Sequence, residues 1–366
     1  MAKNKKKTGD SGQGRNYAQY LVPLLIVIAT LIIFNPSMKN GILYGWDDTE
    51  YMNDPGVQNF DLGRIFSEYH LGMYQPLAVA SMALNYASAE EGPKAYHATN
   101  MFLHVLNIIL VWFLLLKLSR KRIIAGTGAL LFAIHPLNVE PVAWIAARST
   151  LLFTAFYIGG LLTYLKYTES RKAIHFGATI LLALAALFTK SLAISFPLVL
   201  FVIDYYRERR WNLKTFLEKT PFLAFSVVFG IITIDAAQAY GHITELQYDY
   251  TLAERFFILC HTYTLYLAKF LVPVNLSPIY AYPDLGSGSL PLWYYLSPLV
   301  PLALLYFIVR FRKRYRGIIT GLLFFTLAIL PVLPLLWSRI FVAADRYAYL
   351  SFIGLYLVAG ILLSGF

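Results

Sequence analysis

An all-α, polytopic transmembrane helix bundle is what this chain predicts, and composition, segment length and charge placement each point to it. Of its 366 residues, 58% are hydrophobic and 14% charged, with mean hydropathy +0.57. Water-soluble domains carry about 25% charged residues, so the core here is a bundle embedded in a bilayer. Apolar segments of about 20 residues, some shorter, recur between charged flanks. Basic residues gather in short runs between those segments, as cytoplasmic loops do beside anionic lipid. That placement accounts for the net charge of +11 with membrane lipids, and not nucleic acid, as the partner.

Residues 1–16 read as a disordered basic tail, with Lys3, Lys5, Lys6 and Lys7 holding it in the cytoplasm. A transmembrane domain fills 17–366, with about ten spans near 17–35, 98–118, 123–139, 149–166, 173–189, 192–206, 219–238, 292–310, 317–336 and 348–366. The first span is longer than a signal peptide's apolar core, and Asn35-Pro36-Ser37 follows it instead of a small-residue cleavage site. It therefore reads as a retained anchor. The stretch 254–272 contains Cys260, His261, Thr262 and Lys269. A single crossing there would put the basic run 310–316 outside, against the positive-inside rule. It is expected to be re-entrant or interfacial.

Two long exoplasmic loops result, 36–97 and 239–291, rich in Tyr and Pro and expected to carry short helices lying on the bilayer. On this map most of the 31 Lys and Arg are cytoplasmic and most of the 20 Asp and Glu are exoplasmic. Chemistry is expected on the outer face. Cys260 is the one cysteine, so neither an intrachain disulfide nor a cysteine metal cluster can form. The chain ends within an apolar run, 361–366, as a piece of something longer would.

Ionisable groups at span ends are costly to bury and so mark function by default. Trp46-Asp47-Asp48-Thr49-Glu50 follows the first span; its spacing also suits a capping box with Asp in place of Ser or Thr. His97, Asn100, His104 and Asn107 share one helical face, which would equally serve as interhelical glue. His135-Pro136 precedes Glu140, Trp144 and Arg148-Ser149, and His135 could simply close a turn. Lys190 sits in a tight turn between spans, where snorkelling is the plain alternative. Arg339 and Asp345-Arg346-Tyr347 precede the last span. A zinc site from His97, His104 and His135 lacks any His-Glu-x-x-His spacing; no metal ligands are assigned.

An exoplasmic carboxylate pair, several exoplasmic cations and aromatic-rich loops suit a lipid-linked phosphate donor. Cations would stabilise the phosphate charge that grows as a sugar leaves, and a carboxylate would take the proton of an attacking hydroxyl.

The same residues carry a resemblance. Trp46-Asp47-Asp48, Tyr74-Gln75-Pro76-Leu77, Leu84-Asn85-Tyr86, 97–104, 131–136 with Glu140 and Ala147-Arg148-Ser149, Lys190 with Asp204, and 345–350 occur in an order and spacing covering nearly the whole chain. In these the sequence resembles the membrane half of the transmembrane and tetratricopeptide-repeat O-mannosyltransferases and their bacterial relatives, which have the GT-C glycosyltransferase fold. Two motifs depart from the pattern: Gln75 stands where the family usually has Arg, and Ser191 follows Lys190 where Glu is usual. No tetratricopeptide repeats follow, so acceptor recognition through them is not carried over.

The resemblance implies an inverting transfer of a sugar, mannose among the family, from a polyprenyl-phosphate donor to an exoplasmic hydroxyl on a protein or glycan. Asp47 or Asp48 would be the catalytic base. Arg346, Arg339, Lys190 and Arg148 would bind the donor phosphate. Glu50, Tyr74, Gln75, His97, Asn100, His104, His135, Glu140, Asp345 and Tyr347 would line the pocket. The lipid-linked sugar is a co-substrate, and no cofactor is required. Some GT-C enzymes use a divalent cation, whereas members with monophosphate donors commonly do not. The membrane would be the bacterial inner membrane, or the endoplasmic reticulum in a eukaryote. A glycolipid or cell-surface acceptor is the neighbouring alternative. A transporter would place charges nearer the midplane, and a non-catalytic scaffold would tolerate loss of both Asp47 and Asp48.

Overall fold

The structure, a computed structural model, describes residues 18–241, 250–285, 288–334 and 341–365. The tail 1–16 and Arg339 lie outside the described residues. The helices that matter here are α1 (Ala18–Phe34), α2 (Asp47–Asn53), α3 (Pro76–Ala89), α4 (Pro93–Ser119), α5 (Arg122–Ile134) and α6 (Val139–Ala143). They continue with α7 (Arg148–Ser170), α8 (Ala173–Thr189), α9 (Phe196–Tyr206), α10 (Leu213–Leu217) and α11 (Thr220–Ala239). Last come α12 (Leu252–Leu271), α13 (Leu299–Phe311), α14 (Arg316–Ile329) and α15 (Ala348–Leu363). No β-strand occurs among the described residues; two isolated bridges, His70 to Met73 and Tyr280 to Ala343, tie loops.

Among the described residues, five helical stretches are long and apolar enough to cross a membrane: Tyr20–Lys39, Pro93–Ser119, Leu213–Ala239, Leu292–Phe311 and Asp345–Leu363. The bent pair α5–α6 would make a sixth, and apolar helices at 173–189, 191–206 and 316–332 are shorter. Length and apolarity thus support five or six spans and not the ten expected. All of the stretch 254–272 but its last residue, the C-cap Val272, falls within α12, which runs unbroken from a Thr251–Glu254 capping box, without the break a re-entrant turn requires.

α15 is apolar all round, as a buried helix should be, and it packs between α14 and α5. Glycines allow this. A Cβ on Gly354 would collide with the Gly321 carbonyl and lie 2.8 Å from the Phe325 nitrogen, and one on Gly360 would lie 2.7 Å from the Ile124 carbonyl. Small residues at such crossings let helix backbones touch where lipid offers no hydrophobic drive. α5 turns into α6 through 54° at His135-Pro136, because Pro136 lacks a donor and clashes with the preceding turn.

The first long loop folds into a cap with its own small core: Tyr51, Met52, Val57, Ile65, Val79 and Met82 pack with Tyr96 and with 144–147. Ile65, on the amphipathic piece expected to lie on lipid, is fully buried in that core. Its neighbours Leu62 and Phe66 stay exposed, at 48% and 41%.

Candidate active site

Asp47 and Asp48 open α2 but do not cap it. The N-cap is Trp46, and no side chain caps the helix. Asp48 is 1% exposed. Its Oδ1 accepts the Ala146 N–H at 2.8 Å and its Oδ2 the Leu43 N–H at 3.1 Å. Burial pushes its carboxyl above the ordinary range, and those two N–H groups pull it partly back. One oxygen thus ties the cap to the turn before α7, and the other holds the loop that leads into α2. Asp47 remains half-open beside it.

Arg346 stands just before α15. Its backbone N–H donates to Glu140 Oε2 at 2.7 Å, and its guanidinium donates to Glu140 Oε1 at 2.6 Å and to the Pro278 carbonyl at 2.9 Å. The guanidinium lies 5.0 Å from the Trp144 ring centre and 5.2 Å from that of Tyr347. Trp46 meets Trp144 edge-on at 5.9 Å. Asp47 is among the charges that act on this guanidinium. The structure therefore brings together Asp47, Glu140, Arg346 and Tyr347, and adds Trp46, Trp144 and Pro278. Sequence reasoning noted both tryptophans without assigning them to the pocket. The four-residue step from Glu140 to Trp144 was the available signal.

Other expected site residues do structural work. Arg148 is fully buried. Its guanidinium donates to Asn100 Oδ1 at 2.9 Å and to the carbonyls of Ser81 at 2.9 Å and Tyr96 at 3.1 Å, so it has no face to offer a phosphate. Asn100 in turn donates to the Trp144 carbonyl at 2.9 Å. His104 pairs with the Tyr349 hydroxyl at 2.8 Å and the Ala133 carbonyl at 3.2 Å, and Asn107 donates to the Leu151 carbonyl and to Tyr349. That helical face is glue, fully buried among α4, α5, α7 and α15. His97 is buried against the Asn40–Gly41 backbone.

His135 accepts the Leu137 N–H at 3.3 Å, closing its turn, and its Nε2 meets the Phe270 carbonyl at 3.2 Å. Of the histidines in the zinc alternative, His104 and His135 hold different backbone carbonyls, while neither buried ring nitrogen of His97 has a hydrogen-bond partner among the described residues. Gln75, in the family's arginine position, is buried and donates to the Tyr51 hydroxyl. Tyr74 donates to the Phe66 carbonyl at 3.0 Å and packs on Phe188 and Phe229. Lys190 donates to Ser149 at 3.1 Å and Thr150 at 2.8 Å, at the start of α7. Asp345 is buried and accepts from the Tyr280 hydroxyl at 2.8 Å. Glu50 is exposed on α2.

No protein-family profile matches the chain. It is 26% identical over 376 residues to the protein O-mannosyl-transferase F38B6.6 of Caenorhabditis elegans, covering 96% of this chain and 53% of that one. It is 35% identical over 124 residues to Tmtc1 of Drosophila melanogaster, covering 34% of this chain and 14% of the relative. The chain thus spans about half of the nematode relative and less of the fly protein. Among solved structures, the apo oligosaccharyltransferase of Archaeoglobus fulgidus superposes with TM-score 0.53 at 12% identity over 96% of this chain and 51% of that one. ArnT from Cupriavidus metallidurans, bound to undecaprenyl phosphate, gives 0.50 at 12% identity over 97% of this chain and 61% of that one. The fold is that of the GT-C membrane glycosyltransferases, and the sequence is similar to the membrane part of the O-mannosyltransferases.

Proposed function

We propose that this membrane protein is an inverting glycosyltransferase that moves a sugar, mannose by its relatives' names, from a polyprenyl-phosphate donor to a hydroxyl. The acceptor is a protein Ser or Thr, and the reaction occurs on the exoplasmic side. The observation that carries the reading is a half-open carboxylate, Asp47, whose charge acts on a guanidinium braced by Glu140 and lying on the Trp144 ring. The likeness of fold to a protein that holds undecaprenyl phosphate supports the donor class.

In this mechanism the acceptor oxygen attacks the anomeric carbon opposite the bond to phosphate. That bond breaks, the new glycosidic bond forms, and the acceptor proton passes to Asp47. The polyprenyl phosphate leaves with its charge, which Arg346 stabilises. A guanidinium can bond two phosphate oxygens at once, a geometry Lys cannot copy. Glu140 is a positioning residue that fixes the guanidinium. Lys190, whose ammonium is held by Ser149 and Thr150 at the start of α7, is given no part in holding the phosphate.

The test uses purified protein, synthetic polyprenyl-phosphate mannose and a Ser/Thr peptide. Asp47→Asn should lower turnover by about a hundredfold or more while leaving donor affinity nearly unchanged. Arg346→Ala should weaken donor affinity, and Arg346→Lys should restore only part of it. Normal donor affinity in folded Arg346→Ala protein would overturn the phosphate assignment. Normal turnover in Asp47→Asn would overturn the base.

A further inference from the structure

From Arg148, α7 runs 23 residues away from the candidate site, about 34 Å at 1.5 Å per residue. At its far end the bundle is strongly basic, and the packing shows how these ends meet. Arg207 pairs with Glu169, Tyr206 donates to the Leu118 carbonyl, and Lys219 is buried on Asp204. A cavity of about 610 Å³ opens here between the end of α7, the start of α8 and the elbow from α10 into α11. Tyr167, Phe176, Leu213 and Leu217 form its apolar wall, with Lys214 and Glu218 at the rim.

Two features identify the occupant. In the cavity wall Leu213 and Leu217 are 73% and 54% exposed, an apolar surface suited to acyl chains and unsuited to water; Trp211 and Phe216, also exposed, pack beside it on Phe201. Charge supplies the second. Lys214 on the rim is exposed; Arg171, half-exposed, pairs with the rim's Glu218 at 3.3 Å, and exposed Lys172, just outside the lining, follows it in the chain. The rim carboxylate is already committed, since Arg209 holds Glu218 at 2.7 Å, so the rim presents net positive charge. An apolar slot under a cationic rim matches a lipid with an anionic head.

We infer that this groove is a binding site for an anionic phospholipid, with an acyl chain against Phe176 and Leu217 and the phosphate at Lys172 and Lys214. The site is separate from the proposed donor site and does not depend on the catalytic reading.

The full chain, delipidated in detergent, is offered dioleoyl phosphatidylglycerol or dioleoyl phosphatidylcholine, and retention is read by native mass spectrometry. Phosphatidylglycerol should be retained preferentially. The double variant Lys172→Ala/Lys214→Ala, which alters exposed side chains alone, should weaken it by roughly ten- to thirtyfold, the scale of two basic groups at an anionic surface. Leu217→Trp, which fills the slot from an exposed position, should weaken both lipids. Equal retention of the two lipids by the unaltered protein would overturn the inference. So would wild-type phosphatidylglycerol retention in both variants, or full displacement by glycerol 1-phosphate at matched concentration.

Discussion

Asp48→Ala should destabilise the protein, whereas Asp48→Asn should leave stability nearly unchanged and much of the turnover intact. Alanine removes the acceptor of both the Ala146 and the Leu43 N–H groups. Leu43 is 48% exposed, so its N–H can turn to water; Ala146 is 7% exposed and its N–H cannot. One buried donor without a partner costs about 1–3 kcal/mol, which for a chain of this length is roughly 1–4 °C in melting temperature. Asparagine keeps one carbonyl acceptor and carries no charge, the form that burial already favours at this position.

A carboxyl whose folded pKa is raised contributes stability that is fully present below its unfolded pKa and is lost as pH rises through the folded value. The melting temperature of the unaltered protein relative to Asp48→Asn should therefore fall as pH is raised from about 4 to 7, spanning the carboxylate range. Tryptophan-fluorescence melting in detergent, with turnover measured on the same samples, gives both readouts. A folded Asp48→Asn protein as inactive as Asp47→Asn would refute the reasoning, because the buried charge would then be catalytic. Asp48→Ala melting with the unaltered protein would refute it too.

Arg148→Ala leaves Asn100 and the carbonyls of Ser81 and Tyr96 without their shared donor, so yield and melting temperature should collapse. Arg148→Lys should rescue little, because an ammonium cannot copy the fork; size-exclusion chromatography in detergent reads both variants. Gly354→Leu should drive α15 off α14 at the Gly321 carbonyl and abolish the monodisperse species, whereas Gly177→Ala, with open space around it, should change nothing. For orientation, Tyr44→Cys in a Cys260→Ser background, on a residue 75% exposed, should react with an impermeant thiol reagent in intact cells. Arg312→Cys should react after permeabilisation only, and the opposite pattern would invert the membrane map.

Local pattern carried much of the architecture: the apolar runs became helices, and His135-Pro136 became a bend. The face 97, 100, 104, 107 became one buried seam, since helical periodicity depends on near neighbours alone. What escaped is set by partners remote in the chain. Nothing near Asp48 announces that Ala146 spends its carboxylate, 98 positions on. Arg148 looked like a phosphate ligand because three acceptors drawn from α3 and α4 are invisible locally. Arg346 reads as a phosphate ligand, and its hold on Glu140, which spans 206 positions, has no local sign. The cap's separate core was missed for a similar reason: short amphipathic pieces look alike whether lipid or protein covers them.

The seam between α4 and α15 sets a schedule for biosynthesis. His104 and Asn107 find Tyr349 only after 245 and 242 further residues have been made, roughly 10–50 s at ordinary elongation rates. Through that interval the imidazole and amide lack their last partner, which is still untranslated. The nascent chain must therefore keep α4 near the insertion machinery, or shelter it against α5 and α7, until the final helix arrives to close the bundle.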